Sequence, residues 1–470
     1  MTCKSNIMAC RFFDDENLHK INVINSLFKF FILLKVKNPC YNTKKSCRKK
    51  EMNALTSHNA TIRKLLLSKD KDQLQSLVDL DSIDLVLREL LTIEEMREAG
   101  SFFTGQKLAS KAVNLLPAIT SNSVVLDPTC GAGNLLIEAS RKLGVEPTLS
   151  ATLKIWGQVL WGFDLHLHFI EATKLRIVVE ALNQGVEQDC DLDEAFELLP
   201  NIQVRDALTV KSEELSNVTH ILMNPPFTIM PSPKQNYWKE GKVNAAGVVF
   251  DKYLRKLQKG CKVSAILPDV LRSGSRYNEF REFVSESMQT DVDVWGRFNN
   301  KTDVDVFLLS GVIDVNAQAA VWHSAEDSEF TISDYFDVRT GPLVAYRDPE
   351  EGPEYPYFYP KICPQWEIIR EAKETRHFNG KVLSPPFVVI KRTSSPSDKN
   401  RASATLINLR EPVAIENHMI VVTPKDGRVN TCKKLMKVLQ NQQTNDFLNE
   451  RIRLRHLTVG VIRDIPFFEA

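Results

Sequence analysis

Short apolar runs recur between residues 124 and 223, and each of them ends in a polar turn. Runs of three or four apolar residues bounded by turn residues are typical of fully buried strands. The first run leads into a Gly-containing turn and then into a helix-forming stretch from Leu135 to Leu143. This order of strand, turn and helix predicts an α/β core. The predicted strands are Val124-Val125-Leu126, Trp161-Gly162-Phe163, Ile202-Gln203-Val204 and Ile221-Leu222-Met223.

The pattern changes on both sides of this core. Upstream, apolar residues at helical spacing run through residues 59–97 and predict a small helical cap. The apolar stretch from Ile21 to Val36 is broken by lysines, is too short for a membrane span and lacks a signal-peptide cleavage pattern. We expect either a poorly structured leader or a translation start at Met52. The predicted units are residues 1–51 (leader), 52–97 (cap), 98–320 (α/β domain) and 321–470 (C-terminal α+β domain).

The first strand ends in an acidic, Gly-containing turn. Its sequence is Asp127-Pro128-Thr129-Cys130-Gly131-Ala132-Gly133. The two glycines allow a tight bend and a close approach of a ligand to the backbone. The turn lacks the three glycines of a dinucleotide fingerprint and the Gly-Lys-Ser/Thr of a phosphate loop. An acidic residue favours a ligand with a cationic or hydroxyl-bearing part, and an ordinary tight turn is the competing interpretation.

Two more carboxylates follow the next two predicted strands. Asp164 comes directly after the second strand, and Asp206, followed by Ala207, comes after the third. A carboxylate at such a strand end commonly accepts from ribose hydroxyls in doubly wound folds, and the next could accept from an exocyclic amine. Each of them alone could instead be a helix N-cap.

The fourth strand ends in Asn224-Pro225-Pro226-Phe227. Each proline fixes φ and removes an N–H, so this loop is stiff and poor in donors. The Asn224 side-chain oxygen and the Pro225 carbonyl are acceptors that suit an amino group with two N–H bonds. Phe227 offers a plate on which a planar ring could stack. A Pro-rich turn after a buried strand is the alternative for this tetrapeptide taken alone.

Together these motifs resemble the S-adenosylmethionine-dependent DNA adenine-N6 methyltransferases of restriction-modification systems, in the motif order of their γ group. The stretch Arg97 to Gly105 and the strand-and-helix sequence Val263 to Arg276 resemble them as well. Many relatives have Pro where this chain has Gly105. The resemblance implies a Rossmann-like methyltransferase sheet in residues 98–320 and a target-recognition domain in residues 321–470.

The same resemblance implies a role for each motif residue. Asn224, Pro225, Pro226 and Phe227 would be catalytic and would hold a flipped adenine. Phe298 would stack on that base or, in a second interpretation, fill a core edge. The implied S-adenosylmethionine site comprises Phe103, Thr104, Asp127, Pro128, Thr129, Cys130, Gly131, Gly133, Asp164, Asp206 and Ala207.

Composition adds a charge asymmetry. The chain has 470 residues and a net charge of only +1, but residues 381–470 carry fifteen Lys/Arg and eight Asp/Glu. A cationic region of this kind indicates phosphate binding, and a solvated helical face is the alternative. We expect double-stranded DNA as a partner, no membrane contact, and compatibility with a separate cognate restriction endonuclease. The predicted phosphate contacts are Lys391, Arg392, Arg401, Arg451, Arg453 and Arg455.

Nine cysteines without any C-x-x-C pair indicate a reducing, cytoplasmic setting, and we expect no metal site. The site alone does not exclude methylation of rRNA guanine or of a protein glutamine, since both substrates also offer an N–H pair. A non-catalytic DNA-binding subunit is a third possibility. Two further expectations are a polar loop from Pro231 to Gly247 that folds over DNA and a helix from Leu435 to Phe447.

Overall fold

A computed structural model describes residues 39–68, isolated positions between 76 and 96, residues 103–299, 302, 304–314, 320–323 and 329–467. Residues 1–38 of the predicted leader and much of the predicted cap lie outside the described residues. Side chains are described from residue 50 onward.

The predicted α/β core is confirmed as a mixed sheet. In the described part of the chain its order is β3-β2-β1-β4-β7-β9-β8, in which β9 alone runs antiparallel to its neighbours. From β1 the chain proceeds through β2 and β3 toward one edge of the sheet, and β4 then lies on the other side of β1. Such a switch point between β1 and β4 opens a crevice at the strand ends. The strands of this half are β1 Val125–Asp127, β2 Leu160–Asp164, β3 Ile202–Val204, β4 His220–Met223, β5 Ile229–Pro231, β6 Lys242–Asn244, β7 Lys262–Pro268, β8 Met288–Arg297 and β9 Asp305–Ile313.

Helices cover both faces of this sheet, which explains why its central strands are almost continuously apolar. One face packs around Trp156, which is completely buried, and the other packs around Phe250 and Phe280. The helices of this half are α1 Pro39–Ser68, α2 Gln106–Asn114, α3 Asn134–Ser140, α4 Leu149–Val159, α5 Leu167–Asn183, α6 Leu192–Glu197, α7 Ala245–Leu254, α8 Asp269–Ser273 and α9 Asn278–Ser287.

Helix α1 runs without interruption through position 51, where the sequence suggested the end of a leader. It packs against α5. The Arg63 guanidinium lies 2.8 Å from the Glu171 carboxylate, and Asn59 Nδ2 donates to that same carboxylate at 3.1 Å. The last turns of α1 contribute Ile62 and Leu66 to the core. Residues before and after Met52 therefore belong to one helix.

The predicted polar loop after the Asn-Pro-Pro-Phe stretch is an ordered hairpin, because β5 and β6 pair antiparallel. Trp238 is 6 % exposed and packs against Tyr277 and Phe280. The Tyr237 hydroxyl donates to the Asp251 carboxylate at 2.5 Å. The segment is thus an ordered hairpin, whose two aromatic side chains anchor it to helices α7 and α9. Its folding over DNA stays a prediction.

The C-terminal α+β unit has its own core. In the described residues a five-stranded sheet, β10-β17-β14-β15-β12, has helices on one face and a small sheet, β13-β11-β16, on the other. Its strands are β10 Phe336–Thr340, β11 Glu354–Phe358, β12 Ile368–Ile369, β13 Thr375–His377, β14 Phe387–Lys391, β15 Ala404–Ile407, β16 Ala414–Ile415 and β17 Met419–Pro424. Its helices are α10 Ile332–Tyr335, α11 Val429–Gln440, α12 Gln442–Arg451 and α13 Val459–Arg463.

The single helix expected from Leu435 to Phe447 is wrong, because the chain breaks at Asn441. Asn441 has extended backbone angles and caps α12 by accepting the Gln443 N–H at 3.1 Å. Asparagine is among the preferred N-cap residues, so the break is encoded locally.

Buried polar contacts join the two units. The Arg272 guanidinium is fully buried, pairs with Asp269 at 2.8 Å and donates to the Glu450 carbonyl at 2.6 Å. The Arg453 backbone N–H donates to Asp269 at 3.0 Å, and its guanidinium donates to Asp305 at 3.0 Å. The end of helix α12 is thus fixed to α8 and to the start of β9.

Candidate active site

A cavity of about 290 Å³ lies at the carboxyl ends of β1, β2 and β4, at the switch point of the sheet. Most of the residues expected at the site line it. They are Phe103, Thr104, Asp127, Pro128, Thr129, Cys130, Gly131, Asp164, Asp206, Ala207, Asn224 and Pro226. Motifs up to 120 positions apart therefore converge on one cavity.

The three strand-end aspartates share one local geometry. Asp127 accepts the Thr129 N–H at 3.0 Å, Asp164 accepts the His166 N–H at 2.9 Å, and Asp206 accepts the Leu208 N–H at 2.8 Å. In each case the Oδ1 atom closes a turn with the residue two positions on, as Asp side chains commonly do. Each carboxylate is thus held in place by its own turn.

Burial makes the charged forms of two of these carboxylates costly. Desolvation raises the pKa of Asp127 from 3.8 to about 7, although the Thr129 N–H opposes the shift. Desolvation also raises the pKa of Asp164, to about 6, and the nearby charge of Glu51 adds to the shift. A cationic ligand in this cavity would favour the ionised carboxylates.

The glycine turn adopts the backbone that its composition predicts. Gly131 and Gly133 both have positive φ, +53° and +83°, where side chains are strained. A Cβ on Gly133 would lie 2.7 Å from the Thr173 side chain. Gly133 sits behind the cavity wall, at the start of helix α3. Between the glycines and the strand, Cys130 is buried, and burial raises the pKa of its thiol well above the usual value.

Asn224 lines the cavity and contains a buried acceptor. Its Nδ2 donates to the Thr104 hydroxyl at 2.9 Å. Its Oδ1 is buried and has no hydrogen-bond partner among the described residues. A buried acceptor without a donor costs about 1–3 kcal/mol, so its presence indicates a bound group that supplies an N–H or O–H.

Phe227 faces a neighbouring groove of about 370 Å³ between the two units, together with Asn244 and Arg455. Phe298 packs its ring at 86° against Phe227, with centroids 5.5 Å apart, and is only 6 % exposed. This burial favours the interpretation of Phe298 as a core aromatic that supports Phe227. Stacking of Phe298 on a flipped base stays a prediction.

Several residues that line the cavity were not predicted from the sequence, and Glu51, Arg205 and Leu165 are three of them. Glu51 of helix α1 is 4 % exposed and lines the cavity beside Asp164. Arg205 lies over the Phe163 ring at 5.3 Å and pairs with Glu214. Leu165 lines the cavity although its side chain is 57 % exposed. For Glu51 no local signal existed, since it ends a basic stretch nearly eighty residues before the first motif.

Comparison with known proteins finds one family model that spans these motifs. Residues 84–287 match the family model described as N-6 DNA Methylase, a segment that contains the glycine turn, the three aspartates and Asn224. This match supports an N-6 DNA methylase domain within residues 84–287.

The N-6 DNA methylase region has relatives in restriction-modification systems. The chain is similar to the Type II methyltransferase M.VspI of Vibrio sp. (strain 343), with 25% identity over 142 residues, 30% of this chain and 29% of that protein. The chain thus matches less than a third of that relative's length.

Two solved structures resemble the chain over most of its length. One is the type IIG restriction endonuclease BpuSI, with 13% identity, a TM-score of 0.41 and coverage of 92% of this chain and 71% of that chain. The other is the type IIL restriction-modification enzyme MmeI in complex with DNA, with 11% identity, a TM-score of 0.44 and coverage of 86% and 67%.

The predicted phosphate contacts lie C-terminal to the N-6 DNA methylase region, and the structure corrects one of them. Arg401 is fully buried and donates to the carbonyls of Leu448, Ile452 and Leu454. Its assignment to the DNA backbone is wrong, because those carbonyls at the end of helix α12 occupy its guanidinium.

The other predicted contacts differ in their accessibility. Arg455 is exposed and lines the groove beside Phe227, as does Arg453, whose guanidinium binds Asp305. Lys391 and Arg392 are half-buried near the end of β14. Arg451 is half-buried over the Phe447 ring at 5.3 Å. Among the residues that the structure describes, no helix is long and apolar enough to cross a membrane.

Proposed function

We propose that this protein transfers a methyl group from S-adenosylmethionine to the N6 amine of adenine in double-stranded DNA. One observation carries the proposal, the buried Asn224 Oδ1 that lacks a donor at the cavity wall. An exocyclic amine supplies the N–H that this oxygen lacks. The N-6 DNA methylase match over residues 84–287 supports the same reaction.

The residues of the cavity fit S-adenosylmethionine as the methyl donor. Asp127, Asp164, Asp206 and Glu51 bring four carboxyl groups to the cavity wall. That donor set suits a ligand with an ammonium group, a sulfonium and ribose hydroxyls. Asp164 would hold the ribose, and Asp206 would accept from the adenine amine, as in doubly wound folds. Bound S-adenosylmethionine would supply the methyl group on a sulfonium leaving group.

The protein itself contributes the orientation of the target amine. Asn224 Oδ1 would accept an N–H of the target amine, and the two prolines keep competing backbone donors away. Acceptors on the amine hydrogens favour a pyramidal nitrogen with a localised lone pair. Positioning of this kind can lower a barrier by ~7–11 kcal/mol. We therefore assign no general base.

The target base has to leave the duplex to reach this site. Flipping costs a few kcal/mol, which stacking on an aromatic ring can offset. We assign this role to Phe227, which follows Asn224 by three positions in the chain and lines the groove together with Arg453 and Arg455. The C-terminal unit would contact the flanking DNA. A separate cognate restriction endonuclease and a cytoplasmic location remain predictions.

The deciding experiment is methyl transfer from labelled S-adenosylmethionine to unmethylated plasmid DNA, followed by nucleoside analysis. We expect the label in N6-methyladenine. Label in 4-methylcytosine would change the target base. Label in rRNA or in a protein fraction, with none in DNA, would favour a guanine or glutamine methyltransferase, and binding of DNA without any transfer would favour a non-catalytic subunit.

A further inference from the structure

We propose that Thr104 is a positioning residue whose hydroxyl fixes the Asn224 amide so that Oδ1 faces the substrate amine. The inference rests on the proposed function, since it concerns the same amine site. It gives Thr104 a role different from the cofactor contact that the sequence resemblance implied.

An asparagine amide has two orientations related by a half-turn about its last side-chain bond. One presents an acceptor to the cavity and the other presents a donor. The Thr104 hydroxyl, 2.9 Å from Asn224 Nδ2, accepts from the amide nitrogen and holds the amide in the orientation with Oδ1 toward the cavity. A hydroxyl can also donate, so the N–H bonds of the substrate amine favour this orientation over the reverse. In the opposite orientation Nδ2 would meet the N–H bonds of a substrate amine, donor against donor.

Thr104 is itself held firmly. It is 2 % exposed, and its carbonyl accepts from Asn134 Nδ2 at 2.8 Å. The same Asn134 nitrogen donates to the Leu80 carbonyl at 2.8 Å. On its other side, Asn134 Oδ1 accepts from the Arg176 guanidinium at 2.6 Å, and that guanidinium also donates to the Ala132 carbonyl at 2.6 Å.

These contacts form a buried polar chain from Arg176 through Asn134 and Thr104 to Asn224. Arg176 is fully buried and Asn134 is 3 % exposed, so water does not compete for the bonds. Satisfied buried networks of this kind rigidify the groups they connect. The glycine turn and the Asn-Pro-Pro-Phe loop are thus coupled through one threonine.

Two substitutions separate positioning from packing. Thr104→Val keeps the shape of the side chain and removes the hydroxyl, whereas Thr104→Ser keeps the hydroxyl. For Thr104→Val we expect kcat for DNA methylation to fall about ten- to a hundredfold, since one hydrogen bond is lost and the acceptor is misplaced. The dissociation constant of S-adenosylhomocysteine, measured calorimetrically, should stay within about twofold. Thr104→Ser should restore most of kcat.

A measurement without substrate tests the same contact. In protein labelled with ¹⁵N-asparagine, the Asn224 side-chain amide is identified by the signal that Asn224→Asp removes. We expect that signal to move in Thr104→Val and to stay near its parental position in Thr104→Ser.

Each outcome decides between two roles. An unmoved amide signal together with parental kcat in Thr104→Val would overturn the inference. Weakened cofactor affinity at unchanged kcat would instead make Thr104 a cofactor contact. If the parent protein transfers no methyl group to DNA, the proposed function fails, and the amide signal still decides the role of Thr104.

Discussion

The Asn224 amide divides its two ends between the protein and the cavity. Its nitrogen donates to Thr104, and its oxygen is buried without a donor among the described residues. A buried acceptor without a donor costs free energy, and at the wall of a cavity it indicates a bound group that supplies the donor. At the scale of one residue, this is the observation from which the chemistry follows.

Removing that acceptor should affect turnover far more than cofactor binding. For Asn224→Ala we expect kcat to fall by about two to three orders of magnitude, as when a preorganised hydrogen-bonding group is lost at other active sites. Methyl transfer under saturating cofactor measures the change, and calorimetry should show a near-parental dissociation constant for S-adenosylhomocysteine. Asn122→Ala, in an exposed turn, is the matched control. Parental turnover in Asn224→Ala would remove the role given to this residue.

The raised pKa values of Asp127, about 7, and of Asp164, about 6, make cofactor binding dependent on pH. A ligand that carries ammonium and sulfonium groups favours the ionised carboxylates. Its affinity should therefore increase as the pH rises from about 5 to about 8, with release of protons on binding near the lower end. Calorimetry in buffers of different ionisation enthalpy measures that release.

The raised pKa values of Asp127 and Asp164 also make the stability of the protein depend on pH, and this dependence has the opposite sign. The folded pKa of each group lies above its unfolded value of 3.8, so without ligand its contribution is fully favourable below about pH 4 and is lost as the pH rises through about 7. Asp127→Asn should flatten both dependences. An affinity for the cofactor that is flat with pH in the parent protein would contradict this account.

Local signals in the sequence were sufficient to predict the position of some site residues but not of others. The three aspartates and Asn224 stand directly after short apolar strands, and parallel strands bring their carboxyl ends to one edge. The accessibility of Arg401 and Phe298 depends on tertiary packing instead. An arginine in a basic stretch has the same sequence signature whether it faces water or, like Arg401, binds the end of helix α12.

Helix α1 is the element that adds most to the site predicted from the sequence. It places Glu51 at the cavity wall, outside the segment that matches the N-6 DNA methylase family. Its packing against α5 through Arg63 and Glu171 fixes that placement. Helix α1 thus lines the cavity at Glu51 and packs on the outside of the domain at Arg63.

Neutralising Glu51 should weaken cofactor binding. For Glu51→Gln we expect a dissociation constant for S-adenosylmethionine about five- to thirtyfold higher, because one carboxylate that faces the cationic ligand is lost. Calorimetry or equilibrium dialysis measures it. Lys64→Gln neutralises an exposed charge on the same helix and is the control. Equal affinities in all three proteins would exclude Glu51 from the site.

The hairpin of β5 and β6 and the break before α12 show the limits of local patterns at the scale of elements. The residues between β5 and β6 are mostly polar and exposed, but the Trp238 side chain is buried and the Tyr237 side chain is half-buried. Their partners Tyr277, Phe280 and Asp251 come later in the chain, so no window of sequence contains the contact. The cap at Asn441 was locally encoded, and the apolar spacing on both sides concealed it.

Across the whole molecule, the two units are joined by buried charges. Arg272 and Asp269 are 0 % and 1 % exposed and pair with each other, and both also bind the end of helix α12. Replacing one partner of such a pair leaves the other charge buried without compensation. These buried contacts between Arg272, Asp269 and the end of helix α12 therefore couple the stability of the two units.

Arg272→Ala should lower the free energy of unfolding by about 3–5 kcal/mol. Chemical denaturation followed by circular dichroism measures the change. We expect the single transition of the parent to split in two, as the C-terminal unit unfolds separately. Arg276→Ala, four positions away on the surface, should lie within about 0.5 kcal/mol of the parent. If Arg272→Ala lowered the free energy of unfolding by less than about 1 kcal/mol, the buried contacts between the units would contribute little to stability.

The groove between the units is where DNA should meet the protein. Arg455 is exposed there, on the same side as Phe227. Arg455→Ala should weaken binding to all DNA sequences alike and reduce the slope of log affinity against log salt by about 1. Fluorescence anisotropy at several salt concentrations measures the slope. Lys433→Ala, on the exposed face of helix α11, should leave it unchanged, and an unchanged slope in Arg455→Ala would remove this residue from the DNA surface.

The burial of Cys130 has a practical consequence. Alkylating reagents attack the thiolate, and a buried thiol with a raised pKa presents almost none. Cys130 can react only while the glycine turn is transiently open, so its alkylation rate reports how often that opening occurs. Mass spectrometry after timed exposure to iodoacetamide would give the rate, with the half-exposed Cys190 as an internal reference. A ligand in the cavity should slow the labelling of Cys130 alone, which makes this thiol a native probe of occupancy that requires neither a radioactive donor nor a known DNA sequence.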